Sequence, residues 1–232
     1  AHPDDDRPHP GVLYYMDAFG LRKQVFDMCE RIAEAGYFVV APNVFYRDGR
    51  APLFDNLPDL MKPDNREQLF AALGPFREHL TPDGAMRDAG AYLDFLAGHD
   101  SVSDGPIGVT GYCMGGRLAL RTAGTFPDRV AAAASFHGGN LANDAEDSPH
   151  LLADAMSAEV YVGHADNDRS APAEQQERLA EALSAAGVRF KAELYDGAAH
   201  GFTQADTAAY DEQATDRHWE ALLDLFERNL ER

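Results

Sequence analysis

With 232 residues, 45% of them hydrophobic, the chain can bury one sizeable core without disulfides or a structural metal, and it is short for two domains. Its 39 acidic against 20 basic residues give a formal net charge of −19, which repels nucleic acid and anionic membrane surfaces. No apolar run approaches the roughly 18 residues of a membrane-spanning helix.

The N-terminal stretch AHPDDDRPHPG is polar and proline-rich and is not a signal peptide. It runs abruptly into a strand, as a chain does when upstream residues are missing. GVLYYM (11–16) is a short apolar run of β-formers. Over 21–35, Val25, Met28, Cys29, Ile32 and Ala33 recur at helical spacing, and Gly36 marks the stop. YFVVAP (37–42) is a second buried strand ended by Pro42. Residues 43–82 carry five prolines and read as loops with a short helix over one end of the sheet. An amphipathic helix follows at 83–98, capped by Asp83. Then come strand 107–110, helix 114–125, strands 130–136 and 158–163, helix 172–186, strand 189–195 and a helix near 207–230. Such serial β-α units predict a single α/β domain over 1–232, with a mainly parallel central sheet and helices on both faces. There is no internal repeat and no composition break.

In open α/β sheets the reactive groups gather beyond the carboxyl ends of the strands. Those positions hold Asp17, Asn43, Cys113, His137, then His164, Asp166 and Asp168, then His200. The stretch PIGVTGYCMGGRLAL (106–120) places Cys113 at the apex of a glycine-rich strand-turn-helix, where G-x-S-x-G sequences carry serine. A helix N-terminus favours a thiolate. His200, in DGAAHGF, is placed to take the thiol proton and return it to a leaving group. An aspartate in GHADNDRSAP would orient the imidazole. Asp166, three residues past Gly163, is the expected acid, and Asp168 is read as leading into the next helix. The order nucleophile, acid, base is that of α/β-hydrolases. The Met114 N–H and one near Ala18 are the expected oxyanion donors. Cys29, on an apolar helix face, is read as core. His137 and His164 lack metal-ligand spacing and are read as pocket lining or structural, so no metal is predicted. The two cysteines are not spaced as a redox pair, which fits a reducing cytoplasmic setting.

With these residues in hand, the chain resembles the dienelactone hydrolase (carboxymethylenebutenolidase-like) family of α/β-hydrolases. The resemblance runs through YMDAFGL (15–21), YFVVAPNVFYR (37–47), GYCMGGRLAL (111–120), FHGGNLA (136–142), VGHADNDRSAP (162–172) and AAHGF (198–202), with the G-x-C-x-G-G elbow the most specific. It implies a Cys-His-Asp triad of Cys113, His200 and Asp166. It implies that Asp17 stands where the family has a glutamate contacting the resting thiol, one methylene shorter here, and that Ala18 is the second oxyanion donor. Two arginines hold the substrate carboxylate in the original enzymes. Gln204 stands near one of these places, and the other falls in 43–82, where Arg66 is the candidate beside Arg47 and Arg77. Tyr112 and His137, flanking the site, join the expected substrate contacts. A monomer is the family default.

These readings predict hydrolysis of a small-molecule ester or lactone: Cys113 attacks as the thiolate after Asp17 or His200 takes its proton, and no metal or organic cofactor is needed. Two alternatives share the residues. One is a thioesterase or peptidase with the same triad. The other is a non-catalytic scaffold that binds a small ligand and carries a redox-sensitive thiol.

Overall fold

Six parallel strands make one sheet in the order β2-β1-β3-β4-β5-β6: β1 Gly11–Tyr15, β2 Phe38–Val40, β3 Ile107–Tyr112, β4 Val130–Phe136, β5 Glu159–Ala165 and β6 Phe190–Tyr195. The structure, a computed structural model, describes residues 1–52 and 58–230, without the side chains of Pro63, Arg66 and Glu67. Helices α1 (Lys23–Glu34), α2 (Pro63–Ala72), α3 (Gly74–His79), α4 (Pro82–Ala97), α5 (Met114–Thr125), α6 (Ala173–Ala185) and α7 (Glu212–Leu230) connect and cover the strands.

Alternation along β3 shows why both faces are helical. A Cβ at Gly108 would meet Phe226 and Leu230 of α7 within 3 Å, whereas one at Gly111 would meet the Gly115 carbonyl of α5 at 2.0 Å. Residues 108 and 111 differ by an odd number, so they point to opposite faces and put α7 and α5 on opposite sides. Two covered faces explain why β4 is a run of fully buried alanines, Ala132 to Ala134, with no polar alternation.

The sequence reading is corrected in four local places. Residues 43–82 hold two helices, α2 and α3, with Pro63 and Pro75 in their first turns, where a missing N–H costs nothing. The cap of α4 is Thr81, whose Oγ1 accepts from the Gly84 N–H at 3.2 Å, ahead of Pro82 at the first helical position. The first helix starts at Lys23 and the last at Glu212.

The α2–α3 segment docks through a small core of its own. Leu60, Leu69 and Leu73 pack on Ala18 and Phe19, with Phe70, Phe76 and Met114 at the margin. This cap therefore sits on the loop after β1 and on the first residue of α5.

Candidate active site

Cys113 joins β3 to α5 at φ +56°, ψ −118°, a left-handed conformation that costs a residue with a Cβ about 1–3 kcal/mol. Two backbone bonds hold it there: its N–H donates to the Phe136 carbonyl at 3.1 Å, and its carbonyl accepts from Gly116 at 3.1 Å. The turn closes because Gly111 and Gly115 lack side chains. Cys113 is partly buried and lines a cleft of about 340 Å³, together with Ala18, Phe70, Met114, Asp168, Ser170 and His200. Cys29 is the opposite case, buried in the core as expected, where burial pushes its thiol up to about 12.

His200 follows β6 on a turn with Gly197 at φ +76° and Gly201 at φ +95°. Its Nδ1 lies 2.6 Å from Asp168 Oδ2. Burial of the ring opposes its charge, but the Cys113 side chain, by charge and hydrogen bond, and Asp168 outweigh that and push His200 up to about 10. Asp168 is buried, which raises a carboxyl, yet His200 and Ser170 hold it below its ordinary value. Its other oxygen accepts from the Ser170 N–H at 2.8 Å and the Ser170 hydroxyl at 2.7 Å.

The histidine's partner is therefore Asp168, not Asp166. Asn167 adopts φ +52°, so the chain completes its turn there and presents Asp168 back toward the cleft. Asp166 fastens the neighbouring turn instead, its N–H donating to the Ala198 carbonyl at 2.8 Å and its Oδ2 accepting from Gly197 at 3.1 Å. The left-handed tendency of Asn167 was the available signal.

Ala18 and Met114 line the cleft together with Cys113, and among the described residues neither backbone N–H has a hydrogen-bond acceptor.

Asp17 differs from expectation. Its carboxylate faces Arg22, which donates Nη1 to Oδ1 at 2.8 Å and Nη2 to Oδ2 at 2.9 Å, and it also accepts from the Phe19 N–H at 2.9 Å. Among the described residues it makes no hydrogen bond to the thiol. Gln204 is likewise buried, bonded to Arg22 at 3.1 Å and to Thr203 at 2.9 Å, and lines only a narrow extension of the site with Asp17, Phe19 and His137. His137 supports His200 edge-on at 5.3 Å between ring centroids, and its Nε2 hydrogen-bonds Thr203 Oγ1 at 2.8 Å. Tyr112 is no substrate contact: it points away from the cleft, fully buried, with its hydroxyl on His218 Nε2 at 2.8 Å. Arg47 is spent on Asp88, at 2.6 and 2.9 Å, outside the cleft. Arg66 lies on α2, and its side chain is outside the described residues. His164 is buried in neither cavity, and burial pulls it down to about 4.

Sequence reading missed Arg169 and named Arg77 only as one possibility. Both are exposed on the rim of the cleft, and neither side chain has an ion-pair or hydrogen-bond partner among the described residues. Arg117, also on the rim, is engaged with Asp147 at 2.8 Å. Among the described residues no group of His, Cys, Asp and Glu is arranged to hold a metal ion, and no helix is long and apolar enough to cross a membrane.

A parallel sheet covered on both faces, with a left-handed cysteine between β3 and α5 and a histidine after β6, defines the α/β-hydrolase fold. The dienelactone hydrolase family model matches residues 1–230, and the chain belongs to that family of hydrolases, whose substrates are small molecules. A protein of Escherichia coli assigned as a carboxymethylenebutenolidase is 27% identical over 96% of this chain and 78% of its own. Among solved structures, one from Klebsiella pneumoniae assigned as a dienelactone hydrolase superposes with a TM-score of 0.81 at 24% identity, covering 98% of this chain and 90% of that one. A dienelactone hydrolase-like promiscuous phosphotriesterase from metagenomic libraries gives 0.75 at 25% identity, covering 97% and 88%.

Proposed function

We propose that the chain hydrolyses a small ester or lactone through Cys113, His200 and Asp168. The observation that carries this is the 2.6 Å bond from His200 to Asp168 in the lining of the cleft that holds the left-handed Cys113. His200 accepts the thiol proton, and Asp168 holds the ring in one orientation and balances the imidazolium. The Cys113 thiolate attacks the carbonyl carbon. A C–S bond forms, and the carbonyl π pair moves onto oxygen between the Ala18 and Met114 N–H groups, each worth about 3 kcal/mol of barrier. Collapse of this adduct breaks the C–O bond, and the departing oxygen takes the proton from His200. The thioester then meets water, whose proton passes to His200 as oxygen attacks. A second collapse returns the thiolate and releases the acid. A thiolate leaves readily, so the site suits enol-lactones and activated esters better than amides.

Arg77 and Arg169, without partners among the described residues, support an anionic substrate, since two guanidinium groups lining one cleft fit a carboxylate. Turnover of p-nitrophenyl acetate and of a small carboxylated enol-lactone, by wild type and Cys113→Ala, tests the reading. Turnover that the variant lacks supports it. Equal turnover by both, or none by either, removes Cys113 as nucleophile.

A further inference from the structure

We infer that Arg22 is a positioning residue that locks the oxyanion loop to the segment following His200, a role that rests on the proposed parts of Ala18, Cys113 and His200. Its guanidinium is 8% exposed and lines neither cavity, so it acts from behind the site. On one side it grips Asp17 with both Nη atoms and touches the Gly20 carbonyl at 3.2 Å. On the other, Nε donates to Asp206 Oδ2 at 2.6 Å, and Nη2 donates to Asp206 Oδ1 and Gln204 Oε1, both at 3.1 Å. Every nitrogen of the fork is used, which a lysine ammonium could not reproduce.

Both sides lead directly to groups at the reaction centre. Asp17 precedes Ala18, and its carboxylate also accepts the Phe19 N–H, while the Gly20 N–H closes on the Asp17 carbonyl at 3.2 Å. The Ala18 N–H thus lies in a turn whose flanks are both tied down. From Gln204 the bonds continue through Thr203 Oγ1 to His137 Nε2, and the His137 ring abuts His200. One cation therefore sets the distance between an oxyanion donor and the base. Its charge is spent on Asp17 and Asp206, so it is not available to a substrate carboxylate.

The test compares Arg22→Gln, Arg22→Lys, Asp206→Asn and the double variant Arg22→Gln/Asp17→Asn with wild type, using p-nitrophenyl acetate and iodoacetamide alkylation of Cys113. Rates are expressed per alkylatable Cys113, so loss of folded protein does not count. Misplacing the Ala18 N–H by about 1 Å costs about 100-fold, so Arg22→Gln lowers kcat by that order with KM nearly constant, and Arg22→Lys falls between. Arg22→Gln also leaves Asp17 an uncompensated anion beside the thiol, so the alkylation midpoint moves to higher pH. Asp17→Asn moves it back. A kcat per site within about threefold of wild type, with an unmoved midpoint, overturns the inference. If Arg22→Gln does not fold, Asp206→Asn, which releases one partly exposed carboxylate, decides it: a lower kcat supports the lock and an unchanged kcat overturns it. If wild type itself lacks turnover, the hydrolase reading fails, and the alkylation midpoints still judge Arg22.

Discussion

His200 and Asp168 meet across 32 residues of chain at 2.6 Å, and Asp168 is held in place by Ser170, which donates both its N–H and its hydroxyl to the remaining oxygen. The carboxylate is thus aimed before any substrate arrives. Asp168→Asn keeps the shape but replaces the acceptor with an amide, so kcat is expected to fall by about 10²–10⁴-fold with KM little changed. Asp166→Asn is the control. It loosens one turn bond to Gly197 and leaves kcat within about threefold. Steady-state kinetics of the two variants on one activated ester decides between them.

The charge state of His200 gives a second expectation. Burial disfavours the imidazolium, while the Cys113 side chain and Asp168 together hold the ring at about 10. Removing a negative partner weakens the hold on the proton, so the proton leaves at lower pH. In Cys113→Ala the ring is expected to titrate clearly below the wild-type value, and in Asp168→Asn also below it. NMR of the labelled imidazole between about pH 5 and 11 reads this directly. A Cys113→Ala ring that still titrates near the wild-type value would remove the thiolate–imidazolium pair from the mechanism.

Arg77 and Arg169 should separate charged from neutral substrates. Neither has a partner among the described residues, so Arg→Ala at either position is expected to raise KM for a carboxylated ester by about tenfold and leave a neutral ester unchanged. The KM of the anionic ester should also rise with salt, because exposed charges are screened. Arg47→Ala makes the contrast. Its partner Asp88 is buried, so the variant lowers Tm without changing either KM. A drop in affinity for both esters in Arg77→Ala would mean that the side chain packs against substrate instead of reading its charge.

How far the sequence could be read depends on range. Strand and helix periods are local, and so is the elbow, whose three glycines announce Cys113 within a few residues. That is why the parallel sheet was legible, why the serial β-α units pointed to two covered faces, and why Cys113, His200, Ala18 and Met114 were expected together, as the lining of one cleft has them. The acid was a choice between neighbours two residues apart, decided by the left-handed turn at Asn167. The fates of Gln204 and Arg47 were set by partners far along the chain, Arg22 and Asp88, and that of Asp17 by the same Arg22, only five residues on. A charged residue's partner has no periodicity to reveal it. Segment 43–82 hid two helices because its apolar positions serve a small cap core and not the main one.

The elbow itself supplies the sharpest structural expectation. A Cβ on Gly111 would sit 2.0 Å from the Gly115 carbonyl oxygen and 2.3 Å from its carbon, and a Cβ on Gly115 would sit 2.4 Å from the Tyr15 oxygen. Both neighbours are backbone, held by the sheet and by α5, so neither can swing aside as a side-chain tip would. The first substitution pushes α5 off β3, and the second pushes α5 off the end of β1, where the oxyanion loop begins. Gly111→Ala and Gly115→Ala are therefore expected to lose soluble, cooperatively folded protein, or to fold with Cys113 no longer presented to the cleft. Gly74, at the start of α3, has open space around its Cβ direction and a φ that alanine accepts, so Gly74→Ala should match or exceed wild-type Tm, by about 0.4–1 kcal/mol of stability. Thermal unfolding of the three variants, with iodoacetamide alkylation of Cys113 in any that fold, checks both halves. A Gly111→Ala protein with wild-type Tm and a wild-type alkylation rate would mean that the strand-to-helix turn is looser than this packing describes.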